Sequence, residues 1–505
     1  GSAPIKIAEE GHFLADKIGV ISQADTVFST MNISISILLL ITLPLLMYFI
    51  GKRNNGKTIS SGIFETSMVK PGRKEEIILP LPKLESLGNA EYILNIKATL
   101  KENQTLQEQI TNLSNLVNYS ELVHEVSSQD HRHINSSVDV EVVLHIFAHA
   151  LDHPNLDISE LPFFDQICRA VETVFDRVSG AYSVIGAIMK KGMIVFRDPH
   201  GIRPLTKGIR KNEDGTTDHI FASETTMFYA LGFEPDGNVS PGEVIFIDEV
   251  GRVHKRTLRN EQFTPCVFEY VYFSRPDSIQ NEISVYRSRL RMGQNLANKW
   301  KEQYPDITPD IIIPAPSTAN TAALSFANEL GVRFSEGLYK NPFIGRTFIM
   351  PGQEMRKKSI RYKLVPQEFE IRDKDVLIVD DSIVRGNTSK EIVRMVREFG
   401  AKKIYFVSAC PPVKFPCFYG VDMPTREELT AAQRSIDEIK EYMGVDILMY
   451  QEIDDLAEAV TRKGEHNIDR PCMACLDGQY ITGDVDAKKM DSLEKKRNME
   501  RSYLQ

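Results

Sequence analysis

Two adjacent acids followed by a glycine and small polar residues form the segment of this chain with the clearest chemistry. Residues 376–389 read VLIVDDSIVRGNTS. The carboxylates of Asp380 and Asp381 repel each other, so they fit best where they accept hydrogen bonds from sugar hydroxyls and help to hold Mg²⁺. Gly386 lets the backbone approach a ligand closely, and the next three residues offer hydroxyl, amide and N–H donors at a helix start. The pattern predicts a site for a sugar phosphate.

A buried strand and an amphipathic helix must position these residues. The run at 376–379 is apolar throughout, which is typical of a parallel strand that is covered on both faces. Gly400 can end the helix that follows the loop. The apolar stripe of that helix consists of Ile392, Val393, Met395, Val396 and Phe399. The alternative for an isolated Asp-Asp pair is a plain turn with Thr388 as the N-cap of the helix.

Apolar strands alternate with amphipathic segments along most of the chain. Between residues 262 and 470 the order strand, helix, strand, helix recurs, and residues 311–313 form a second near-continuous apolar strand. This order predicts an α/β domain built on a mainly parallel sheet. Strands and helices also alternate between 115 and 256, and 505 residues are enough for two or three domains.

Composition restricts the class of protein. The net charge of −9 argues against nucleic acid as the main partner, because a phosphate backbone is met by clustered positive charge. Six scattered cysteines favour a reduced, cytoplasmic protein over a secreted disulfide framework. The chain opens on Gly1-Ser2 without an initiator Met, which suggests processing or a cloning scar. Residues 33–50 form an uncharged apolar run followed by Lys52 and Arg53, which is either a membrane span with the following chain in the cytoplasm or a buried helix.

The 376–389 segment resembles the diphosphosugar-binding motif of type I phosphoribosyltransferases, which act on phosphoribosyl pyrophosphate. Other motifs narrow the resemblance to amidophosphoribosyltransferase, the glutamine-dependent enzyme that opens purine synthesis. They are RDPHGIRPL at 197–205, ASE at 222–224, FEYVYFSRPDS at 268–278 and GRTFIMPG at 345–352. The resemblance covers residues from about 115 to about 485.

This resemblance implies a domain order. A truncated α+β glutaminase-like domain of the N-terminal-nucleophile type is expected at 113–258, and a type I phosphoribosyltransferase domain with a mainly parallel sheet at 259–470. Residues 1–112 form an unrelated segment that contains the apolar run 33–50. Residues 471–505 form a C-terminal tail with a C-x-x-C motif.

The resemblance also assigns a substrate and metal site. Asp380 and Asp381 are expected to meet the ribose hydroxyls and Mg²⁺, and Thr318 is expected to contribute a hydroxyl near the metal. From the sequence alone, Thr318 fits equally well as the N-cap of a helix at 321–330. The implied substrate-binding residues are Asp380, Asp381, Ser382, Arg385, Gly386, Asn387, Thr388, Ser389, Arg346 and Lys340.

A basic segment at 340–363 is interpreted as a lid. Its only acid is Glu354, against the bases Lys340, Arg346, Arg356, Lys357, Lys358, Arg361 and Lys363. In isolation such a run is a solvated face or a nucleic-acid patch. Similarity to the family implies a mobile cover that shields the reactive sugar from water. The family usually has Arg-Tyr where this chain has Pro342-Phe343.

The cysteines outline a second candidate site. The pair Cys472 and Cys475 alone is a weak signal. Family members with a structural [4Fe–4S] cluster place their ligands where this chain has Cys266, Cys417, Cys472 and Cys475. Four thiolates also suit zinc. Cys168 and Cys410 fall outside this pattern and are expected to be small buried residues.

The family's glutaminase residues are largely missing, so no catalytic nucleophile is assigned. Family members use a cysteine at the mature N-terminus, whereas this chain begins with Gly1 and its first cysteine is Cys168. Residues 112–115 read NLSN where the family has the oxyanion-hole segment His-Asn-Gly-Asn. Residues 138–141 read VDVE where the family has Ser-Asp-Ser-Glu, which keeps only the acid expected near the glutamine amine. We expect no glutamine hydrolysis.

The sequence therefore predicts a phosphoribosyltransferase that makes 5-phosphoribosylamine from phosphoribosyl pyrophosphate and free ammonia. The resemblance implies inhibition by purine nucleotides and a homo-tetramer. One alternative is a non-catalytic regulator that binds phosphoribosyl pyrophosphate and is tethered to a membrane through residues 33–50. Another is a salvage transferase that uses a purine or pyrimidine base, which the motifs around Arg197 and Glu269 disfavour.

Overall fold

The computed structural model describes residues 116–503 apart from 137, 153–160, 342–362, 422, 424, 463–467 and 469. The predictions about residues 1–112, about the apolar run 33–50, and about Arg346 and most of the basic segment lie outside the described residues. All described residues belong to one compact unit, 86–505. Within the described part of the chain, no helix is long and apolar enough to cross a membrane.

The first half of the described chain is built from three long helices and two antiparallel sheets. The helices are α1 Tyr119–Ser128, α2 Asp139–Asp152 and α3 Phe163–Arg177. The strands, with a short helix α4 Thr226–Ala230 among them, are β1 Ser183–Ile188, β2 Gly192–Arg197, β3 Thr206–Lys211, β4 Thr217–Ala222, β5 Glu234–Asn238, β6 Glu243–Asp248 and β7 Val253–Thr257. One sheet has the order β1-β2-β6-β7 and the other has the order β4-β3-β5.

Alternation of side chains along β2 and β6 explains how these layers pack. Successive residues of a strand point to opposite faces. Ile194 and Phe196 lie in the core formed with α2 and α3, whereas Val195 and Ile245 lie in a smaller core that includes Leu205. The four-stranded sheet is therefore covered by helices on one face and by residues of the β3–β5 region on the other.

A π-helical turn and a short hairpin lead into the second half. The turn spans Glu269–Phe273, and the hairpin consists of β8 Ile279–Gln280 and β9 Ile283–Ser284. The long helix α5 Val285–Gln303 follows directly, and the Ser284 hydroxyl caps it by accepting from the Arg287 N–H.

The second half contains a parallel sheet and its helices. The strands of this half are β10 Ile311–Pro314, β11 Leu338–Lys340, β12 Leu364–Pro366, β13 Asp375–Asp380, β14 Lys403–Ser408 and β15 Ile447–Tyr450. Of these, β11 and β12 form a separate two-stranded sheet. Its helices are α6 Asn320–Leu330, α7 Glu368–Ile371, α8 Asn387–Glu398, α9 Thr430–Gln433, α10 Ile436–Met443, α11 Ile453–Thr461, α12 Ala474–Asp477 and α13 Ala487–Tyr503. The sheet order is β10-β13-β14-β15, and every pair in it is parallel.

Helices cover both faces of this sheet, as its apolar strands predict. Val376 and Ile378 of β13 lie in the core that contains α8 and α10, whereas Leu377 and Val379 lie in the core that contains α5 and α6. All four side chains are fully buried. The predicted α/β fold with a mainly parallel sheet is confirmed, and the carboxyl edge of that sheet is where ligands bind in folds of this kind.

Candidate functional site

The two acids lie where β13 ends. Asp380 is the last residue of the strand, and Asp381 opens the loop that follows. The Asp381 N–H donates to Oδ1 of Asp380 at 2.9 Å, and the Ser382 hydroxyl donates to Oδ1 of Asp381 at 2.7 Å. Both carboxyl groups are half-buried at the carboxyl edge of the sheet.

Burial sets the electrostatics of this pair. Desolvation raises the pKa of Asp380 well above its usual range, and the neighbouring Asp381 charge raises it further. Desolvation also raises the pKa of Asp381 to about 6, while its hydrogen bond from Ser382 and the positive charge of Arg289 oppose that rise. Two carboxylates that are costly to ionise together form a site that a divalent cation would stabilise.

The loop after the acids turns sharply into a helix. Ile383 is buried and anchors the loop, and Gly386 has a φ of 75°, in the left-handed region that favours glycine. Gly386 is the N-cap and α8 begins at Asn387. The alternative that made Thr388 the N-cap is therefore wrong. The first N–H groups of a helix have no partner within it, so those of α8 are free to bind an anion at this edge.

The loop side chains divide between the acids and the surrounding surface. The Ser389 hydroxyl donates to Oδ2 of Asp380 at 3.4 Å, whereas Arg385 Nε donates to Glu428 at 2.7 Å. Oδ1 of Asn387 accepts from the Tyr442 hydroxyl at 2.8 Å. Thr388 is exposed. The groups available to a phosphate at this site are therefore the backbone N–H groups and the Thr388 hydroxyl. The assignment of all these residues to substrate binding stays a prediction.

The Thr318 loop lies beside the acids because β10 pairs with β13. The Ala315 N–H donates to the Val379 carbonyl at 2.8 Å, which fixes this loop against the end of β13. Thr318 is half-buried, and helix α6 begins at Asn320 with Ala319 as its N-cap. The interpretation of Thr318 as a helix N-cap is therefore wrong, and its predicted place near the metal stays open.

The two ends of the basic segment meet in a small sheet. Lys340 ends β11 and pairs with Leu364 of β12, and the Asn341 N–H donates to the Lys363 carbonyl at 2.7 Å. Burial and the nearby Lys340 lower the pKa of Lys363. The segment between these residues, including Arg346, lies outside the described residues, so its role as a lid stays a prediction.

Arg289 is a residue that the sequence interpretation missed. Its guanidinium is buried in α5, where Nε donates to the Tyr270 carbonyl at 2.8 Å and Nη2 donates to the Ser274 carbonyl at 2.7 Å. Its charge interacts with Asp381 and with Glu224 of the first half. It therefore places a fixed positive charge behind the acids. Arg289 stands between Arg287 and Arg291 in the sequence, so no sequence signal separated it from them.

Five of the six cysteines are buried in one core. They are the four predicted ligands Cys266, Cys417, Cys472 and Cys475, together with Cys410. The Cys472 N–H donates to the Pro265 carbonyl at 2.8 Å, and the Val267 N–H donates to the Cys472 carbonyl at 3.1 Å. Burial raises the pKa of Cys475, and the other three cysteines and Cys410 raise it further.

Thiols are the ligand type that an iron–sulfur cluster uses, and all four of these are buried. Burial raises the pKa of Cys266 to about 12, so this thiol is neutral unless a metal centre draws off its proton. Among the described side chains, no group of three or more His, Cys, Asp or Glu is placed to hold a single metal ion. Cys168 and Cys410 are buried, as expected for small core residues.

Comparison with known proteins accounts for both halves. Residues 95–230 match the glutamine amidotransferase domain family, and residues 287–414 match the phosphoribosyl transferase domain family. The amidophosphoribosyltransferase of Pseudomonas aeruginosa is 46% identical over 379 residues, which cover 75% of each chain. That of Escherichia coli is 43% identical over 389 residues, which cover 76% of each chain.

Solved structures agree with these relatives. Glutamine phosphoribosylpyrophosphate amidotransferase from B. subtilis, complexed with ADP and GMP, superposes with a TM-score of 0.63 at 34% identity, covering 74% of this chain and 77% of that one. A structure described as the allosteric regulatory enzyme of purine biosynthesis superposes with a TM-score of 0.64 at 33% identity, covering 76% of this chain and 77% of that one. The resemblance predicted from the motifs is confirmed: the chain belongs to the amidophosphoribosyltransferase family, a family of glycosyltransferase-class enzymes of purine biosynthesis.

Proposed function

We propose that the carboxyl edge of the parallel sheet binds phosphoribosyl pyrophosphate with Mg²⁺ and transfers the phosphoribosyl group to ammonia, forming 5-phosphoribosylamine. One observation carries this proposal. The half-buried Asp380-Asp381 pair, the left-handed Gly386 and the start of α8 follow one another in a single loop at this edge. Acids for sugar hydroxyls and N–H donors for a phosphate are thus supplied within a few residues.

The proposed reaction needs positioning more than covalent chemistry. Loss of diphosphate builds positive charge on the ribose, which carboxylates beside the ring stabilise. Bound Mg²⁺, held by Asp380, Asp381 and Thr318, would neutralise the departing diphosphate. The first N–H groups of α8 hold the 5′-phosphate, and the positive charge of Arg289 favours the ionised form of Asp381. The basic segment 340–363 would exclude water from the reactive sugar.

We also propose that the glutaminase-like half does not hydrolyse glutamine, so that ammonia must come from solution. Residues 112–115 read NLSN in place of the oxyanion-hole segment that the resemblance implies, and Cys168 is buried in α3. Burial raises the pKa of Cys168 to about 11, and a neutral buried thiol is a poor nucleophile. The carboxylate of Glu141 already accepts from the N–H groups of Asn135 at 2.8 Å and Ser136 at 2.7 Å.

Release of pyrophosphate with each nitrogen donor tests both proposals. With Mg²⁺ and phosphoribosyl pyrophosphate, we expect turnover with ammonium and none with glutamine. Asp381→Asn should abolish turnover, whereas Asp375→Asn, at the opposite end of β13, should retain it. Equal turnover with glutamine would contradict the lost glutaminase. Saturable binding without turnover from either donor would instead favour a regulator.

The four clustered cysteines support a [4Fe–4S] centre as a further proposal. They are buried in one core, and thiolates are the ligands that such clusters use. Anaerobic reconstitution with iron and sulfide should give about four of each per chain in this arrangement. Cys475→Ser should lose the bound iron, whereas the buried Cys168→Ser should keep it. Binding of one zinc ion per chain and no iron would contradict the cluster.

We also propose how this chain is inhibited, how it assembles and in which compartment it works. The B. subtilis relative is complexed with ADP and GMP, which supports purine nucleotides as inhibitors of this chain. We propose a homo-tetramer in the cytoplasm, where the six free cysteines would stay reduced. Inhibition of ammonium-dependent turnover by ADP with GMP, and the mass in solution, test these points.

A further inference from the structure

A row of polar residues crosses the carboxyl edge of the parallel sheet. Asp380 of β13 lies in register with Ser408 of β14, and Ser408 lies in register with Tyr450 of β15. Residues paired in register project from the same face of a sheet. Ile378, Phe406 and Leu448, two residues before each of them, all lie in the core that contains α8. The three side chains therefore lie side by side under the start of α8.

The Tyr450 hydroxyl is buried without a hydrogen-bond partner among the described residues. The side chain is 3% exposed, and neither a donor nor an acceptor of the described chain contacts its oxygen. Ser408 stands between it and Asp380, but this side chain is short and its hydroxyl donates to the Cys410 carbonyl at 2.7 Å. Burial raises the pKa of Tyr450, and the charges of Cys410 and Asp380 raise it further. By strand register, Tyr450 lies two strands from Asp380, with only the short Ser408 side chain between them.

Asp380 has few donors for an ionised carboxylate. It accepts from the Asp381 N–H at 2.9 Å and, through the longer contact of 3.4 Å, from the Ser389 hydroxyl. A buried carboxylate that binds a cation needs donors for its remaining lone pairs. A buried hydroxyl without a partner is equally costly, because it has given up water without a replacement. One hydrogen bond would satisfy both groups.

We propose that Tyr450 is a positioning residue for the transferase site, whose hydroxyl donates to the Asp380 carboxylate in the Mg²⁺ complex of phosphoribosyl pyrophosphate. This inference rests on the proposed function. It predicts opposite effects of the phenol in two states. The hydroxyl has no partner among the described residues of the ligand-free chain, and it gains one when substrate and cation are bound.

Tyr450→Phe removes the hydroxyl alone, and Tyr405→Phe is its matched control. Tyr405 is a buried tyrosine of β14 whose hydroxyl donates to Asp375 at 3.2 Å, at the opposite end of the sheet. We expect Tyr450→Phe to melt at the same or a higher temperature than wild type without ligand. It should bind Mg²⁺ and phosphoribosyl pyrophosphate about tenfold more weakly by calorimetry. Tyr405→Phe should melt lower and bind as wild type.

The outcomes separate this inference from the proposed function. Wild-type affinity in Tyr450→Phe would overturn the role of the phenol and leave the substrate proposal intact. Equal weakening in both variants would also overturn it, because a general loss of packing would then explain the result. If the wild-type chain does not bind phosphoribosyl pyrophosphate, the proposed function fails and this inference fails with it.

Discussion

Gly386→Ala tests the phosphate loop with a change whose cost follows from the structure. Gly386 has a φ of 75°, and a residue with a Cβ pays about 1–2 kcal/mol in that left-handed region. The added Cβ would lie 3.6 Å from atoms of Thr430 and Tyr442, which is ordinary contact distance. No overlap adds to the backbone strain. We therefore expect the free energy of unfolding to fall by about 1–2 kcal/mol in urea titrations.

The same substitution should weaken ligand binding by more than its effect on stability suggests. Alanine is strained in the left-handed region, and any shift of its φ toward negative values turns the first N–H groups of α8 away from the phosphate. Loss of one hydrogen bond to a charged group costs about 1.5–3 kcal/mol. The dissociation constant for phosphoribosyl pyrophosphate with Mg²⁺, measured by calorimetry, should rise at least about tenfold.

Gly331→Ala is the control for this experiment. Gly331 ends α6 with a φ of 68°, and an added Cβ would meet no described atom within 4 Å. The backbone strain is the same, but the residue lies away from the candidate site. We expect both variants to lose the same free energy of unfolding. Only Gly386→Ala should bind phosphoribosyl pyrophosphate more weakly. Unchanged binding in Gly386→Ala, or equal weakening in both variants, would refute the role of this loop.

Three further predictions concern charge and metal. Burial raises the pKa of Asp381 to about 6, above its value in an unfolded chain, so its contribution to stability is complete below about pH 4 and is lost as the pH rises through 6. Asp381→Asn should flatten that part of the stability profile in urea titrations without Mg²⁺; an unchanged profile would contradict it. Arg289→Met should lower the free energy of unfolding by about 2–4 kcal/mol, because it leaves two buried carbonyls without donors. It should also raise the pH at which calorimetry detects Mg²⁺-dependent binding. Cys475→Ser should remove the visible absorbance of a reconstituted cluster; wild-type absorbance would contradict its role as a ligand.

Local pattern was enough to predict the strand and helix that hold the acids. The four apolar residues at 376–379 are buried because helices cover both faces of β13. A continuous apolar run of this length predicts such a strand directly. The apolar stripe of α8 is likewise buried from Ile392 to Val396. The glycine in the loop indicated a close approach of the backbone to a ligand, and the structure adds that its φ is left-handed. These features depend on neighbours in the chain, so the sequence contains them.

Long-range contacts could not be predicted in the same way. Tyr450 and Arg289 approach the acids only because β15 and α5 pack at particular places in the fold. In sequence, Tyr450 is one more apolar strand residue and Arg289 one more base on a charged helix. Thr318 gave two equal interpretations, and only the helix start at Asn320 decided against one of them. Family resemblance supplied the roles of the cysteines, which their spacing alone left undecided.

The two halves share a core, which explains how the glutaminase-like half would matter without hydrolysing glutamine. Ala181 and Ile202 of the first half lie in the same buried cluster as Trp300 of the second. Glu269, buried in the π-helical turn, pairs with Arg203 at 2.7 Å. That turn supplies the Tyr270 carbonyl to Arg289, whose charge in turn faces Asp381. Removal of the first half would take Arg203 away from Glu269 and uncover the core that the two halves share. The turn that holds Arg289 behind the acids therefore depends on the first half, whether or not that half supplies ammonia.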